Sequence, residues 1–413
     1  MRRATRLSLA AICIVIVFAT MVSGASAQSK QAVEAKFRTW LEQSIWPEAQ
    51  RNGVSRATFD AALSGVALDW SLPDLSPNGA PPQVNWQAEF SSPARYMSEN
   101  TIAPLVRIGR QLKGKWASTL NAVEQRYGVP KEIVLAIWGR ESAFGRAAIP
   151  KDAVRTIATQ AYIGSRRDLY RPELIAILQI LQAGDVPRSA LKSSVAGALG
   201  QPQFLPSKYL GYAVDFDGDG RRDIWTSVPD TLGSIGNYLS RHGWQRGQHW
   251  GHEARVPETV NCAIEGPVNA YPLSEFHKAG VTHAGGAALP GKGGDPRHLM
   301  MPAGRLGPAF IVSKNFYVLK EYNESDLYAL FVGHVSDRLT SDGRIAGKWD
   351  TSAGFRRGDV REMQKRLEAK GYDVGGADGL VGFRTRTAIG MWQRQNGLSP
   401  TCFPDAGLIR TIR

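Results

Sequence analysis

Residues Pro130-Lys131-Glu132-Ile133-Val134-Leu135-Ala136-Ile137-Trp138-Gly139-Arg140-Glu141-Ser142-Ala143-Phe144-Gly145 decide how this chain reads. Pro130 suits the first turn of a helix, where its missing N–H costs nothing. Val134, Ile137, Trp138 and Glu141 then recur at helical spacing, so a carboxyl group shares the face of three apolar side chains. Burial disfavours the charged form of a carboxyl group and raises its pKa. An acid kept protonated near neutral pH can donate a proton to a leaving oxygen, as cleavage of a glycosidic bond requires. A helix-end glutamate at the rim of a core gives the same pattern, and this segment alone does not separate the two.

Outward from this helix, the pattern from Ile102 to Trp244 is mainly helical, with glycine and proline punctuation. Leu174, Ile177, Leu178 and Leu181 form one amphipathic stripe that belongs to a core. On the N-terminal side, residues 37–75 read as helices, followed by a crossing rich in proline (Pro73, Pro77, Pro81, Pro82). From about Ala254 to Val312 the chain is rich in Gly and Pro, with short β-like pieces such as Phe310-Ile311-Val312. This predicts a small β-containing subdomain in a helical frame. Helical pattern returns from Asp326 to Leu339, and a polar, Gly-containing stretch then reads as a linker. After it, Val360, Met363 and Leu367 share one helical face, Thr385 is placed to cap a second helix carrying Ala388, Ile389 and Trp392, and Asp405 can start a third.

The chain has 413 residues, 43% of them hydrophobic and 21% charged, which describes a folded protein with room for more than one domain. Arg2, Arg3 and Arg6 precede an apolar run from Leu7 to Val22, and Ala25-Ser26-Ala27 is a small-residue cleavage site. That is the pattern of a secretory signal, and the run is short for a membrane span. The expectation is cleavage near Ala27, a periplasmic protein, and no stable membrane insertion afterwards. The net charge is +13, and the chain stays basic without those three arginines. An exported basic protein meets anionic polymers at the cell surface, and export argues against nucleic acid as the partner. Export also permits a disulfide between Cys262 and Cys402, but the sequence does not decide whether they pair.

A second constellation is Asp215-Phe216-Asp217-Gly218-Asp219-Gly220-Arg221-Arg222-Asp223. Acids at alternating positions with glycine at the sixth match the start of a calcium loop. Asp215, Asp217 and Asp219 supply side-chain oxygens, Arg221 a backbone carbonyl, and Asp230 a later carboxylate able to close the shell. Hard oxygen ligands of this kind suit pinning a loop, so the expected Ca2+ is structural and catalysis needs no cofactor. A third stretch, Ser193 to Ser207, has small residues that let backbone approach a ligand, with Ser194 and Gln203 able to bond sugar amides or hydroxyls. His249 and His252 lack a carboxylate at metal spacing and read as ordinary surface or core histidines.

Together these segments resemble the B-type family of lytic murein transglycosylases. The resemblance runs from about Ile102 to Leu339 through Ile-Trp-Gly-x-Glu-Ser-x-Phe-Gly, Ala-Gly-Ala-Leu-Gly-x-x-Gln-Phe-Leu-Pro-Ser, Asp-Phe-Asp-Gly-Asp-Gly, Asn315-Phe316-Tyr317-Val318 and Tyr322-Asn323-x-Ser325. It implies a mainly α (α+β) fold: a lysozyme-like catalytic domain with a small β-containing subdomain. The tail resembles a three-helix peptidoglycan-binding domain through Gly-Asp-Val-x-x-x-Gln, Gly371-Tyr372 and Asp378-Gly379. The implied organisation is a signal over 1–27, a catalytic domain over 28–340, a linker over 341–354 and a peptidoglycan-binding domain over 355–413.

The same resemblance implies that Glu141 is the catalytic acid and that Ser194, Gln203, Tyr322 and Asn323 touch glycan. It puts Arg166, Arg167 and Tyr170 where sugar meets stem peptide, and it places calcium at the Asp215 loop with Asp230 at its distal end. The implied substrate is peptidoglycan, its glycan strands and stem peptides. Ordinary glycosidases use two carboxylates. Asp152 and Asp168 follow Glu141 but sit in no second-carboxylate motif, which fits a mechanism with one acid that becomes a base. A lysozyme-type muramidase and a non-catalytic wall-binding protein are the competing readings.

Overall fold

The computed structural model describes residues 30–77, 92–350 and 355–412. The export segment read at residues 1–27, together with Pro81, Pro82 and residues 351–354 of the linker, lies outside the described residues. The chain is mostly helical with a small sheet. In chain order, α1 is Glu99–Lys115, α2 Ala117–Tyr127, α3 Lys131–Ser142, α4 Ala153–Ile163, α5 Arg167–Ala183 and α6 Val228–Arg241. Then come α7 (Lys314–Tyr322), α8 (Asp326–Arg338), α9 (Arg357–Ala369), α10 (Phe383–Gln395) and α11 (Ala406–Thr411). The strands are β1 (Lys151–Asp152), β2 (Lys192–Ser193), β3 (Gly251–Arg255), β4 (Tyr271–Pro272), β5 (Thr282–His283), β6 (Pro296–Met300) and β7 (Ala309–Val312).

These elements fall into two compact units, residues 30–77 with 149–211 and residues 92–148 with 212–350 and 355–412. In the first unit, α4 and α5 pack as a pair, and Leu174, Ile177 and Leu178 of the expected stripe are fully buried. Each such aliphatic side chain contributes about 1.5–3 kcal/mol by leaving water. Asp152 starts α4 by accepting the Arg155 N–H, and left-handed Gly184 ends α5. β1 and β2 pair antiparallel, Lys151 opposite Ser193.

In the second unit, α3 is the central helix, packed by α1, α2, α6 and α8. Every residue from Ile133 to Gly139 is buried, so the helix is covered all round and not on one stripe. The β subdomain is a five-stranded antiparallel sheet in the order β4-β6-β7-β3-β5. The segment read as a linker is fastened to that sheet: the amides of Ala346 and Gly347 donate to the Glu253 carboxylate, and the Asp350 amide to the Leu306 carbonyl.

The C-terminal helices form as the apolar pattern requires, with Val360, Met363, Leu367, Ala388, Ile389 and Trp392 in one cluster. Asp405 caps α11 through the Gly407 and Leu408 amides. Thr385 does not cap the second helix. Gly382 is the N-cap, and Thr385 sits in the first turn, buried, with its hydroxyl on the Val374 carbonyl. Cys262 and Cys402 are bonded, tying the β subdomain to this C-terminal cluster across 140 residues of sequence. Among the described residues no helix is long and apolar enough to cross a membrane.

Candidate active site

Glu141 lies in the last turn of α3, half-buried, beyond the fully buried run that ends at Gly139. The chain leaves the helix through three consecutive left-handed residues, Ala143, Phe144 and Gly145, with φ of 49°, 61° and 76°. Non-glycine residues rarely adopt this conformation, and it persists where surrounding packing enforces it. Here the enforcing contact is visible. The Phe144 ring stands edge-on against Trp138, at 5.4 Å between centroids. It also covers Gly139, where an added Cβ would lie 2.6 Å from Phe144 Cζ. Trp138, Gly139, Phe144 and Gly145 thus form one device that turns the backbone sharply just past Glu141.

The carboxyl group is held from α8. Tyr328 donates its hydroxyl to Glu141 Oε1 at 2.5 Å. Ser325 caps α8 and so sets where Tyr328 begins its first turn. The Tyr328 hydroxyl is pushed well above its ordinary pKa, first by burial and then by the charge of Glu141, so it remains a donor at any working pH. The Tyr322 ring lies 6.3 Å from that of Tyr328 and nearly parallel to it. Burial, then Glu141, push the Tyr322 hydroxyl up in the same way. The next residue, Asn323, is exposed, and its side-chain oxygen accepts the Ser325 amide. Tyr328 is the residue that sequence reading missed. Its signal was a hydroxyl inside the otherwise apolar start of a helix, where a buried tyrosine needs a partner.

The Asp215 loop also belongs to this unit. Asp215, Asp217 and Asp219 bring one carboxylate oxygen each within 4.8 Å of one another. Gly218 and Gly220 take left-handed φ values, and their amides donate to Asp215. This is the sharp turn that a calcium loop needs, and three hard oxygen donors fit that ion. Arg221 lays its guanidinium on Asp219. Asp230 is fully buried in the first turn of α6 and accepts the amides of Phe216, Asp217 and Asp223. Asp230 thus braces the loop, outside the three acids whose oxygens converge.

In the other unit, Ser194 and Gln203 stand on one loop, closed by reciprocal backbone hydrogen bonds between Leu199 and Phe204. Gln203 is half-buried, has φ 55°, and donates to the Gly200 carbonyl. Ser194 Oγ accepts the Ala198 amide. Gly197 is a close-packed position: a Cβ there would lie 2.3 Å from Ile157 Cδ1. Tyr170 and Arg167 are both engaged within the protein. Tyr170 is 2% exposed and spends its hydroxyl on the Ala196 carbonyl, so it supports the loop from below. Arg167 donates to the Gly164 and Ser76 carbonyls. Arg166 is exposed, its guanidinium 5.7 Å from the Tyr170 ring centroid. Asp152, a downstream carboxylate, caps α4 and pairs with Arg188 at 2.7 Å.

Comparison with known proteins identifies the domains. Residues 36–337 match the transglycosylase SLT domain, and residues 356–411 a putative peptidoglycan binding domain. The chain is 31% identical over 265 residues to membrane-bound lytic murein transglycosylase B of Escherichia coli, covering 63% of this chain and 67% of that protein. The crystal structure of SltB3 from Pseudomonas aeruginosa in complex with NAG-NAM-pentapeptide superposes with a TM-score of 0.82 at 38% identity, covering 91% of this chain and 99% of that one. The Escherichia coli lytic transglycosylase SLT35 in complex with calcium gives a TM-score of 0.57 at 25% identity, over 74% and 92% of the two chains. The SLT-domain match over residues 36–337, more than half of the chain, places the chain in the SLT-domain family of lytic murein transglycosylases.

Proposed function

We propose that the chain cuts the bond between N-acetylmuramic acid and N-acetylglucosamine in peptidoglycan without water, leaving 1,6-anhydro ends. The observation that carries this is the Glu141 carboxyl group, held at one oxygen by Tyr328 at the end of a buried helix. Glu141 gives its proton to the bridging oxygen as the bond to C1 breaks, and N-acetylglucosamine leaves with its hydroxyl restored. The carboxylate then takes the proton of the muramic 6-hydroxyl, whose oxygen bonds to C1 of the same ring. Glu141 ends as it began, and no water is consumed. The internal nucleophile is already near C1, which removes the entropy cost of capturing a second molecule. The structural use of Asp152 as a cap supports a single acid. So does the relationship to SltB3, which has been crystallised with both NAG-NAM-pentapeptide and NAG-anhNAM-pentapeptide.

In this reading Ser194, Gln203, Arg166, Tyr322 and Asn323 contact glycan or peptide, while Tyr170 and Arg167 hold their surroundings in place. The chain works in the periplasm after removal of residues 1–27, on peptidoglycan and not on nucleic acid. Residues 28–340 carry the chemistry, 341–354 connect, and 355–413 bind wall. Digestion of isolated sacculi should release muropeptides with anhydro ends. Reducing ends would make the chain a hydrolase, and no release would leave a wall-binding protein.

Tyr328 acts through Glu141 and is a positioning residue. Losing a hydrogen bond to a charged group costs about 1.5–3 kcal/mol, or roughly ten- to a hundredfold in rate. Tyr328→Phe should therefore lower kcat by that factor while KM and the melting temperature hold, because the ring is kept. A change confined to KM or to stability would remove the positioning role.

Calcium is proposed at Asp215, Asp217 and Asp219, as a brace for the entry to α6. A ligand that binds only the folded state adds about 2.7 kcal/mol at a hundred times its Kd. Calcium should raise the melting temperature, chelator should reverse the rise, and Asp215→Asn should abolish the response. An unchanged melting temperature in calcium and in chelator would leave the loop an ordinary turn.

A further inference from the structure

Arg140 immediately precedes Glu141 in α3, at a position that the Trp-Gly-x-Glu pattern leaves open. It is half-buried, and its guanidinium rests against two rings, 4.9 Å from the centroid of Tyr96 and 5.1 Å from that of Phe331. Both distances are within the range at which a cation is attracted to an aromatic face. The two rings meet edge to face, with centroids 5.6 Å apart. Arg140 Nη2 also donates to the Tyr96 hydroxyl at 2.9 Å. Tyr96 ends the one-turn helix Pro93–Tyr96 and is buried, and Phe331 lies in the core of α8. One guanidinium is thus held by a hydrogen bond and two ring contacts, from two different elements.

Phe331 stands three residues after Tyr328 in α8, a spacing that makes neighbours on a helix surface. Tyr328 is the residue that holds Glu141. Two consecutive residues of α3 therefore grip two residues one turn apart on α8: Glu141 meets Tyr328, and Arg140 meets Phe331. Two such grips fix both the slide and the rotation of one helix on the other, which a single hydrogen bond cannot do. Tyr96 also lies near Tyr328, adding to the rise of its hydroxyl after burial, Glu141 and Tyr322. Packing alone does not call for an arginine here. A methionine would fill the space between the rings without giving up the hydration of a cation. The chain places a cation there instead, beside its acid.

We propose that Arg140 is a positioning residue for the reaction: it fixes the register of α8 on α3 and so keeps the Tyr328 hydroxyl on the Glu141 carboxyl group. The proposal rests on the function given above and adds to it a residue that acts through Tyr328. The test is a kinetic cycle with the full chain on soluble peptidoglycan strands. Arg140→Met keeps bulk between the rings and removes the donor and the charge. Its kcat should fall by about tenfold, since a misplacement of about 1 Å can cost about a hundredfold. KM should stay within about twofold of wild type, and the melting temperature within about 3 °C, because only one partly exposed cation contact is lost. In a Tyr328→Phe background the same substitution should cost less than about twofold, because the hydroxyl it serves is gone. Arg140→Gln keeps a donor and loses the cation. It should lower kcat by about threefold or more, and it carries the test if the methionine variant does not fold.

A kcat within about twofold of wild type in the folded variants overturns the proposal. So does a loss of the same factor with and without the Tyr328 hydroxyl. A change confined to KM or to the melting temperature makes Arg140 a packing residue and overturns it as well. The products are read in the same assay. Anhydro ends with an unchanged kcat in the variants keep the proposed function and remove this role, while reducing ends with the expected cycle do the reverse.

Discussion

Glu141→Gln should reduce cleavage of sacculi by about a thousandfold or more, since general acid and base roles each contribute roughly 10²–10⁴. The amide has the shape of the acid and can still accept the Tyr328 hydrogen bond, so α3 and its surroundings have no reason to move. Melting temperature and sedimentation with sacculi should therefore match wild type. Both steps of the proposed reaction pass through one residue, so the loss should appear in kcat and not in binding. Retained cleavage within about tenfold of wild type would move the acid role to another group.

Arg386→Met should cost about 3–5 kcal/mol, the usual result of leaving a buried charge without its partner. Arg386 lies in a helix whose other buried positions are mostly apolar or small, yet it bridges Glu265 and Asp326 with almost no access to solvent. Urea unfolding followed by tryptophan fluorescence is the measurement, because Trp392 reports the C-terminal cluster. A second variant that also carries Glu265→Gln and Asp326→Asn should recover much of the loss, since the stranded charges are then gone. A loss below about 1 kcal/mol in the single variant would contradict the buried bridge.

The same group predicts a pH response. Burial opposes ionisation of Asp326, but the charges of Arg386 and Lys320 outweigh it and hold the folded-state pKa below the usual range. Its stabilisation is thus complete above the unfolded value near ~3.9 and is lost as pH falls through the lower, folded value.

Local order explains what was legible in the sequence. The helix carrying Glu141 could be read because its apolar run and Pro130 are contiguous, and the Asp215 turn because its acids and glycines alternate within a few residues. The three C-terminal helices followed from short-range apolar spacing. What sequence reading missed depends on pairing across the chain. Tyr328 meets Glu141 across 187 positions, and Arg386 meets Glu265 across 121. An arginine inside a helix reads as a solvated face until the opposing wall is seen. Tyr170 was placed near ligand by the family resemblance alone; its burial and its bond to the Ala196 carbonyl come from packing across 26 positions that no local pattern shows. Thr385 was read as a cap because threonine favours that place; Gly382 took it because the Thr385 hydroxyl had a buried carbonyl to satisfy.

Digestion in heavy-oxygen water tests most directly whether one glutamate, acting as acid and then base, closes the sugar on its own 6-hydroxyl. Sacculi are treated with the full chain, and the released muropeptides are weighed by mass spectrometry. The account predicts 1,6-anhydromuramic ends with no solvent oxygen at C1. Reducing ends carrying the heavy isotope as the main product would contradict it and assign the attack to water.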